Sequence, residues 1–142
     1  DVGRAFCLPG TEEKRTWRLL FFGLVVLQSV TNMFFFIMPT QLPFFLDAEG
    51  YSSASMTGMT LSLLMLSGGA VALAYSPIQR AIGYAGVYAI GYAAMALGFL
   101  LLNSGVALFI LAGAVLIGAG YAAVSPTFVA LTLALAPQHR RG

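Results

Sequence analysis

No acidic or basic side chain occurs between Glu49 and Arg80, and none between Arg80 and His139. Charged residues make up 8% of the 142-residue chain, against about a quarter in an ordinary soluble domain. A soluble fold could not cover its surface with so few. Uncharged runs of this length exceed the roughly 18 apolar residues that already mark a membrane span. Cysteine is nearly absent, and Cys7 alone excludes an internal disulfide and offers no metal-site spacing. The single histidine, His139, lies beside Arg140 and Arg141, where it reads as a solvated neighbour of charge. The apolar runs hold no paired carboxylates, no HExxH, no phosphate-binding loop and no Ser/His pair. Enzymes need groups that attack or move protons. The sequence therefore predicts neither an enzyme nor a bound cofactor or metal.

What is present is apolar: 59% of residues are hydrophobic, with a mean hydropathy of +0.88. Four long runs predict an all-α membrane protein with helices at about 17–46, 53–75, 83–102 and 106–136. Helices satisfy their own backbone groups in hydrocarbon, and the short alternating strands of a barrel are not seen. All seven Lys and Arg fall on one side of such a four-pass chain: Arg4, Lys14, Arg15 and Arg18, then Arg80, then Arg140 and Arg141. Asp47 and Glu49 fall on the other. Lys and Arg concentrate in cytoplasmic loops, so both chain ends are expected in the cytoplasm. The net charge of +2 is spread along one membrane face, so the expected partner is the bilayer and not nucleic acid.

Residues 1–16 are polar, contain Pro9-Gly10 and read as a cytoplasmic linker. Trp17 sits where an interfacial anchor belongs. Pro39 and Pro43 predict bending near the outer end of the first helix. Ser52 or Ser53 is the expected N-cap of the second helix, and Ser76-Pro77 its expected end. Asn103-Ser104-Gly105 should turn outside. Pro126 should kink the last helix, and Pro137 should stop it. The chain opens at Asp1 without Met and closes just after a helix. The corresponding expectation is a segment of a longer polypeptide.

Gln28 and Asn32 lie four apart and share a helix face, with Ser29 and Thr31 beside them. Carboxamides are costly in lipid and should point inward. They fit a substrate pathway or hydrogen bonding between helices, and the residues alone leave both open. Tyr121, Ser125, Phe128 and Thr132 form a mixed face around Pro126. A carbonyl freed there could meet a ligand or a nearby hydroxyl such as that of Tyr121. Thr57, Thr60 and Ser67 make a stripe, followed by Gly68-Gly69-Ala70. With Gly83, Gly86, Gly91, Gly113, Gly118 and Gly120 these read first as surfaces for close helix packing. Tyr84, Tyr88 and Tyr92 line another face, where Tyr84 suits the inner aromatic belt and the deeper two suit packing.

Three stretches resemble the major facilitator superfamily of secondary transporters. Met38-Pro39-Thr40-Gln41-Leu42-Pro43-Phe44 looks like the outer end of the seventh helix in many bacterial members. Ser76-Pro77-Ile78-Gln79-Arg80-Ala81-Ile82-Gly83 resembles a degenerate form of the family's cytoplasmic signature loop, represented by Pro77, Gln79, Arg80 and Gly83. The family places an acid before the arginine, and Gln79 occupies that place here, which favours the C-terminal half. Gly118-x-Gly120, Ser125-Pro126 and the closing Pro137 to Gly142 are similar to the fourth or tenth helix and the loop after it.

The resemblance spans about residues 16–142 and implies helices seven to ten of a six-helix half, with the remaining transporter helices as partners. It implies alternating-access transport of a small molecule across a bacterial plasma membrane, efflux included. Gln28, Asn32, Gln41, Tyr121 and Ser125 are then expected to line the substrate pathway. Their uncharged, aromatic surroundings suit a neutral or amphiphilic solute. The alternative is a small four-helix membrane subunit with a structural or assembly role.

Overall fold

The computed structural model describes residues 11–51 and 53–135, with side chains from Leu19 to Leu133. All regular structure among them is helical: α1 (Thr11–Ala48), α2 (Ala54–Leu102) and α3 (Ala107–Leu135). Each carries a stretch long and apolar enough to cross a bilayer, namely Leu19–Ala48, Ala54–Leu102 and Ala107–Leu133. Only helices or closed barrels satisfy the backbone in hydrocarbon, and these sequences form the former. The expected linker is helical from Thr11. Cys7, Pro137, His139, Arg140 and Arg141 lie outside the described residues.

One boundary differs from expectation. Separate helices at 53–75 and 83–102 were expected, with Ser76-Pro77 as the stop. The helix instead runs through Pro77, and the only non-helical backbone inside α2 is Gly83, at φ 71° and ψ 173°. Proline inside a helix forfeits the hydrogen bond to the carbonyl four residues back, at Leu73, and crowds that carbonyl, which can bend a helix without ending it. The backbone at Gly83 lies in a region that essentially only glycine adopts. The break therefore falls at the residue that can take it.

Contacts along α3 reveal the consequence of the break. Gly118 abuts the Leu64 carbonyl and Ser67, Gly68 faces Gly118 and Ala122, and Tyr75 reaches Thr127. Numbers here rise together, so the first part of α2 runs with α3. Beyond Gly83, Gly91 meets Gly120 and Val124, while Gly98 meets Gly113 and Ile117. Numbers now rise on α2 and fall on α3, so the chain direction has reversed. Continuous, α2 would be about 73 Å long at roughly 1.5 Å per residue, more than twice the roughly 30 Å hydrocarbon core.

Glycines set these seams. Gly68, Gly91, Gly113, Gly118 and Gly120 bring backbones into contact as the sequence predicts, and Gly98 joins them. Gly69 and Gly86 do not, since Gly69 faces open space and Gly86 meets only Ile82 of its own turn. Lipid supplies no hydrophobic drive between helices, so close van der Waals approach through small residues does the work.

α1 lies alongside with one buried stripe: Gln28, Thr31, Phe35, Met38, Leu42 and Leu46. Spacings of three and four place these on one face. The C-terminal part of the stripe, from Phe35 on, joins Leu64, Leu102, Ile110, Ala114 and Ile117 in the core. Most other large side chains of α1, such as Met33, Phe36 and Phe44, are exposed.

The turn after α1 and the turn between α2 and α3 are tied together. Tyr51 N–H donates to the Leu46 carbonyl at 2.7 Å and Gly50 N–H to that of Asp47 at 3.1 Å, with Gly50 at φ 84°. This pair of bonds is the Schellman ending, which needs a left-handed residue. It delivers Tyr51 to the next turn, where its hydroxyl donates to the Gly105 carbonyl at 3.2 Å. The same oxygen accepts from Ala107 N–H at 3.3 Å, one of the donors left free at the start of α3. Ser53 occupies the N-cap position of α2 but makes no side-chain cap bond. Its carbonyl instead accepts from Met56 and Thr57.

Candidate polar site at the centre of the bundle

Gln28 and Asn32 stand one turn apart near the middle of the Leu19–Ala48 span, and Tyr121 stands near the middle of Ala107–Leu133. Gln28 Nε2 donates to Asn32 Oδ1 at 3.1 Å. The Tyr121 hydroxyl donates to the same oxygen at 3.0 Å. One turn further along α1, Phe35 stacks on the Tyr121 ring, with centroids 3.8 Å apart and planes 13° from parallel. Helical spacing supplies the α1 side of this cluster, and the Gly-mediated approach of α2 to α3 fixes the helix that carries Tyr121.

The set is not saturated. Gln28 is only 8% exposed, and its Oε1 is buried without a hydrogen-bond partner among the described residues. Exchanging the oxygen and nitrogen ends of both carboxamides does not cure this. Asn32 Nδ2 would then donate to Gln28 Oε1 and leave Gln28 Nε2 unpaired. Either way one end of a buried amide is open, at a cost of about 1–3 kcal/mol.

A second polar contact lies beside the first. Thr31 Oγ1 donates to the Leu27 carbonyl at 2.8 Å, which uses its one proton, so Tyr92 donates to Thr31 across the 2.8 Å gap. By the same logic Thr127 donates to the Ala123 carbonyl and receives the Tyr75 hydroxyl proton at 2.9 Å. Tyr92 also stacks on Tyr88 at 5.8 Å. The charged side chains within these spans are Asp47, in the last turn of α1, and Arg80, exposed three residues before Gly83. Neither makes any of these contacts, so the site is a neutral array of dipoles and rings.

Of the residues expected to line a pathway, Gln28, Asn32 and Tyr121 come together. Gln41 does not: it is exposed and borders a separate pocket of about 230 Å³ near the C-terminal end of α1. Ser125 is half-buried one turn beyond Tyr121, outside the hydrogen-bonded group. Tyr121 gives its proton to Asn32 and not to the backbone near Pro126. The signature-like residues Pro77 and Arg80 are exposed and Gln79 half-buried, all within helix, with Gly83 at the break.

The Thr57, Thr60 and Ser67 stripe is inward at Thr60, and the Thr60 and Ser67 hydroxyls bond carbonyls of their own helix. Sequence reasoning assigned Tyr92 to packing and gave no role to Phe35 or Tyr75. Thr127 follows Pro126 as Thr40 follows Pro39, and that recurrence is the one local signal for it.

No protein-family model, no curated protein and no solved structure matches this chain.

Proposed function

We propose that this chain is the membrane-embedded part of a secondary transporter of the major facilitator type, moving a small uncharged molecule by alternating access. The carrying observation is the open carboxamide of Gln28 beside Asn32 and Tyr121. A buried polar group at mid-membrane that the protein leaves unpaired is poor packing and good binding chemistry. A solute donor at Gln28 Oε1 and a solute acceptor at Asn32 would complete the set.

In this reading α2 supplies two spans that meet at Gly83, so the chain crosses four times with both ends cytoplasmic, in a bacterial plasma membrane. The reversal of contact direction at Gly83 supports this count, as does the placement of cations on one side and Asp47 with Glu49 on the other. Ser125 would form the wall beyond Tyr121, and Gln41, on its separate pocket, takes no part. The role is transport and not catalysis, and the exposed faces of α1 would meet further transporter helices and lipid.

A structural subunit is the second reading. It draws on the bonds that Gln28, Asn32 and Tyr121 make to one another, since such bonds also hold membrane helices together. Uptake or efflux by the complete transporter separates the two. Asn32→Ala should impair transport strongly, while Thr57→Ala, on the first part of α2, should leave it near normal. Equal, near-normal transport in both variants would remove the assignment.

A further inference from the structure

The pocket at the outer end of α1 is apolar on its walls and polar at its mouth. Ile37, Met38, Leu42 and Phe45 form one side and Phe99 and Leu102 the other. Gln41 and Asn103 border the same space, and both are exposed. α1 ends at Ala48 and α2 at Leu102, so the pocket occupies the last turns of both, at the depth where lipid chains join their headgroups. Around it Ile37, Phe36 and Phe44 are exposed apolar side chains. Carboxamides at such a place need partners that water-free hydrocarbon does not offer.

Charge selects among lipids. The Glu49 carboxylate lies against Gly105, with Oε2 2.8 Å from where a Cβ on that glycine would sit. Gly105 is two residues past Asn103, so the acid stands just outside the mouth. Asp47 is exposed on the same end. No Lys or Arg occurs between Arg18 and Arg80 or between Arg80 and Arg140, so nothing on this side attracts an anion. A headgroup with an exposed ammonium is favoured here, and a net anionic one is repelled.

We propose that this pocket is a binding site for a zwitterionic phospholipid. One acyl chain lies between Phe45 and Phe99, the Gln41 and Asn103 amides donate to ester or phosphate oxygens, and the headgroup ammonium meets Glu49. The site is independent of the transport reading, since it uses neither Asn32 nor Tyr121.

The test uses the full-length protein with Trp17→Phe, which removes the one tryptophan of these 142 residues, with Phe in place of any other tryptophan, and Phe45→Trp as reporter. Vesicles of phosphatidylglycerol carry a minor fraction of acyl-brominated phosphatidylethanolamine or, in the matched arm, of acyl-brominated phosphatidylglycerol. The brominated ethanolamine lipid should quench the fluorescence of the Phe45→Trp reporter several-fold more than the brominated glycerol lipid. A reporter at exposed Phe44 should respond equally to both. Adding Glu49→Gln should abolish the preference. Equal quenching of the Phe45→Trp reporter by the two lipids would mean ordinary surrounding lipid and would overturn the proposal. No quenching at all would mean that a protein segment fills the pocket, and would overturn it too. Native mass spectrometry of protein with the native Phe45 gives a second readout. Ethanolamine lipid should be retained there and lost in Glu49→Gln, and equal retention in both would count against the site.

Discussion

Adding one methyl group at Gly113 should force α3 away from α2. A Cβ there would lie 2.6 Å from the Gly98 carbonyl oxygen, and one at Gly98 would lie 2.7 Å from that of Gly113. Ordinary contact begins at 3.4 Å, and both obstacles are backbone, so neither can rotate aside. The helices must part by about 0.8 Å, and a gap of roughly 0.5–1 Å forfeits a quarter to a half of each atom pair's attraction. Overpacking of this kind costs about 1–3 kcal/mol. In lipid the loss is not offset by hydrophobic burial, since close packing is itself the source of association.

A further consequence is non-additivity. The same separation accommodates both methyl groups, so Gly98→Ala combined with Gly113→Ala should lose little more than the worse single variant. Gly69→Ala is the control, because nothing lies within 4 Å of its Cβ position. Alanine there should be neutral or gain up to about 1 kcal/mol of helix preference. Unfolding of the protein in mixed micelles by increasing dodecyl sulfate, followed by circular dichroism, reads all four variants. If Gly113→Ala unfolds with the parent or with Gly69→Ala, the close approach of α2 and α3 is refuted.

Two other substitutions probe the frame. Gly83→Ala must place a side chain in backbone space that essentially only glycine occupies, and should destabilise by about 1–3 kcal/mol in the same titration. An unchanged midpoint would mean the chain does not turn there. Tyr51→Phe removes the hydroxyl that bridges the turn after α1 to the turn before α3 and should cost about 1 kcal/mol. Faster amide exchange at Ala107, with no change at Ala119, would locate the effect, and an unaltered Ala107 would contradict the bridge.

Much of the frame was legible because the bilayer imposes it. Uncharged runs longer than a span, with turn residues between them, mark where the helices lie, and i, i+4 spacing put Gln28 beside Asn32. The end of the first part of α2 was misplaced because proline is a strong local breaker in water, whereas here the decisive residue was the glycine that can hold φ 71°. Contacts between distant segments carried no local signal. Nothing in the sequence pairs Phe35 with Tyr121, Thr31 with Tyr92 or Gly98 with Gly113, since each depends on the register of separate helices. Gln41 was grouped with the polar site on residue type alone. It stands on the same helix nearly four turns from Gln28, at about 1.5 Å rise per residue, too far to share one solute.

The central claim is that Gln28 is kept polar for a ligand and not for the fold. Gln28→Met in the full-length protein tests it most directly, with unfolding midpoint and the rate of the proposed transport measured on the same preparation. Removing a buried, half-satisfied amide while keeping its volume should leave stability unchanged or raise it by about 1 kcal/mol, and transport should fall at least tenfold. Loss of stability with transport intact would contradict the account and make Gln28 a structural group.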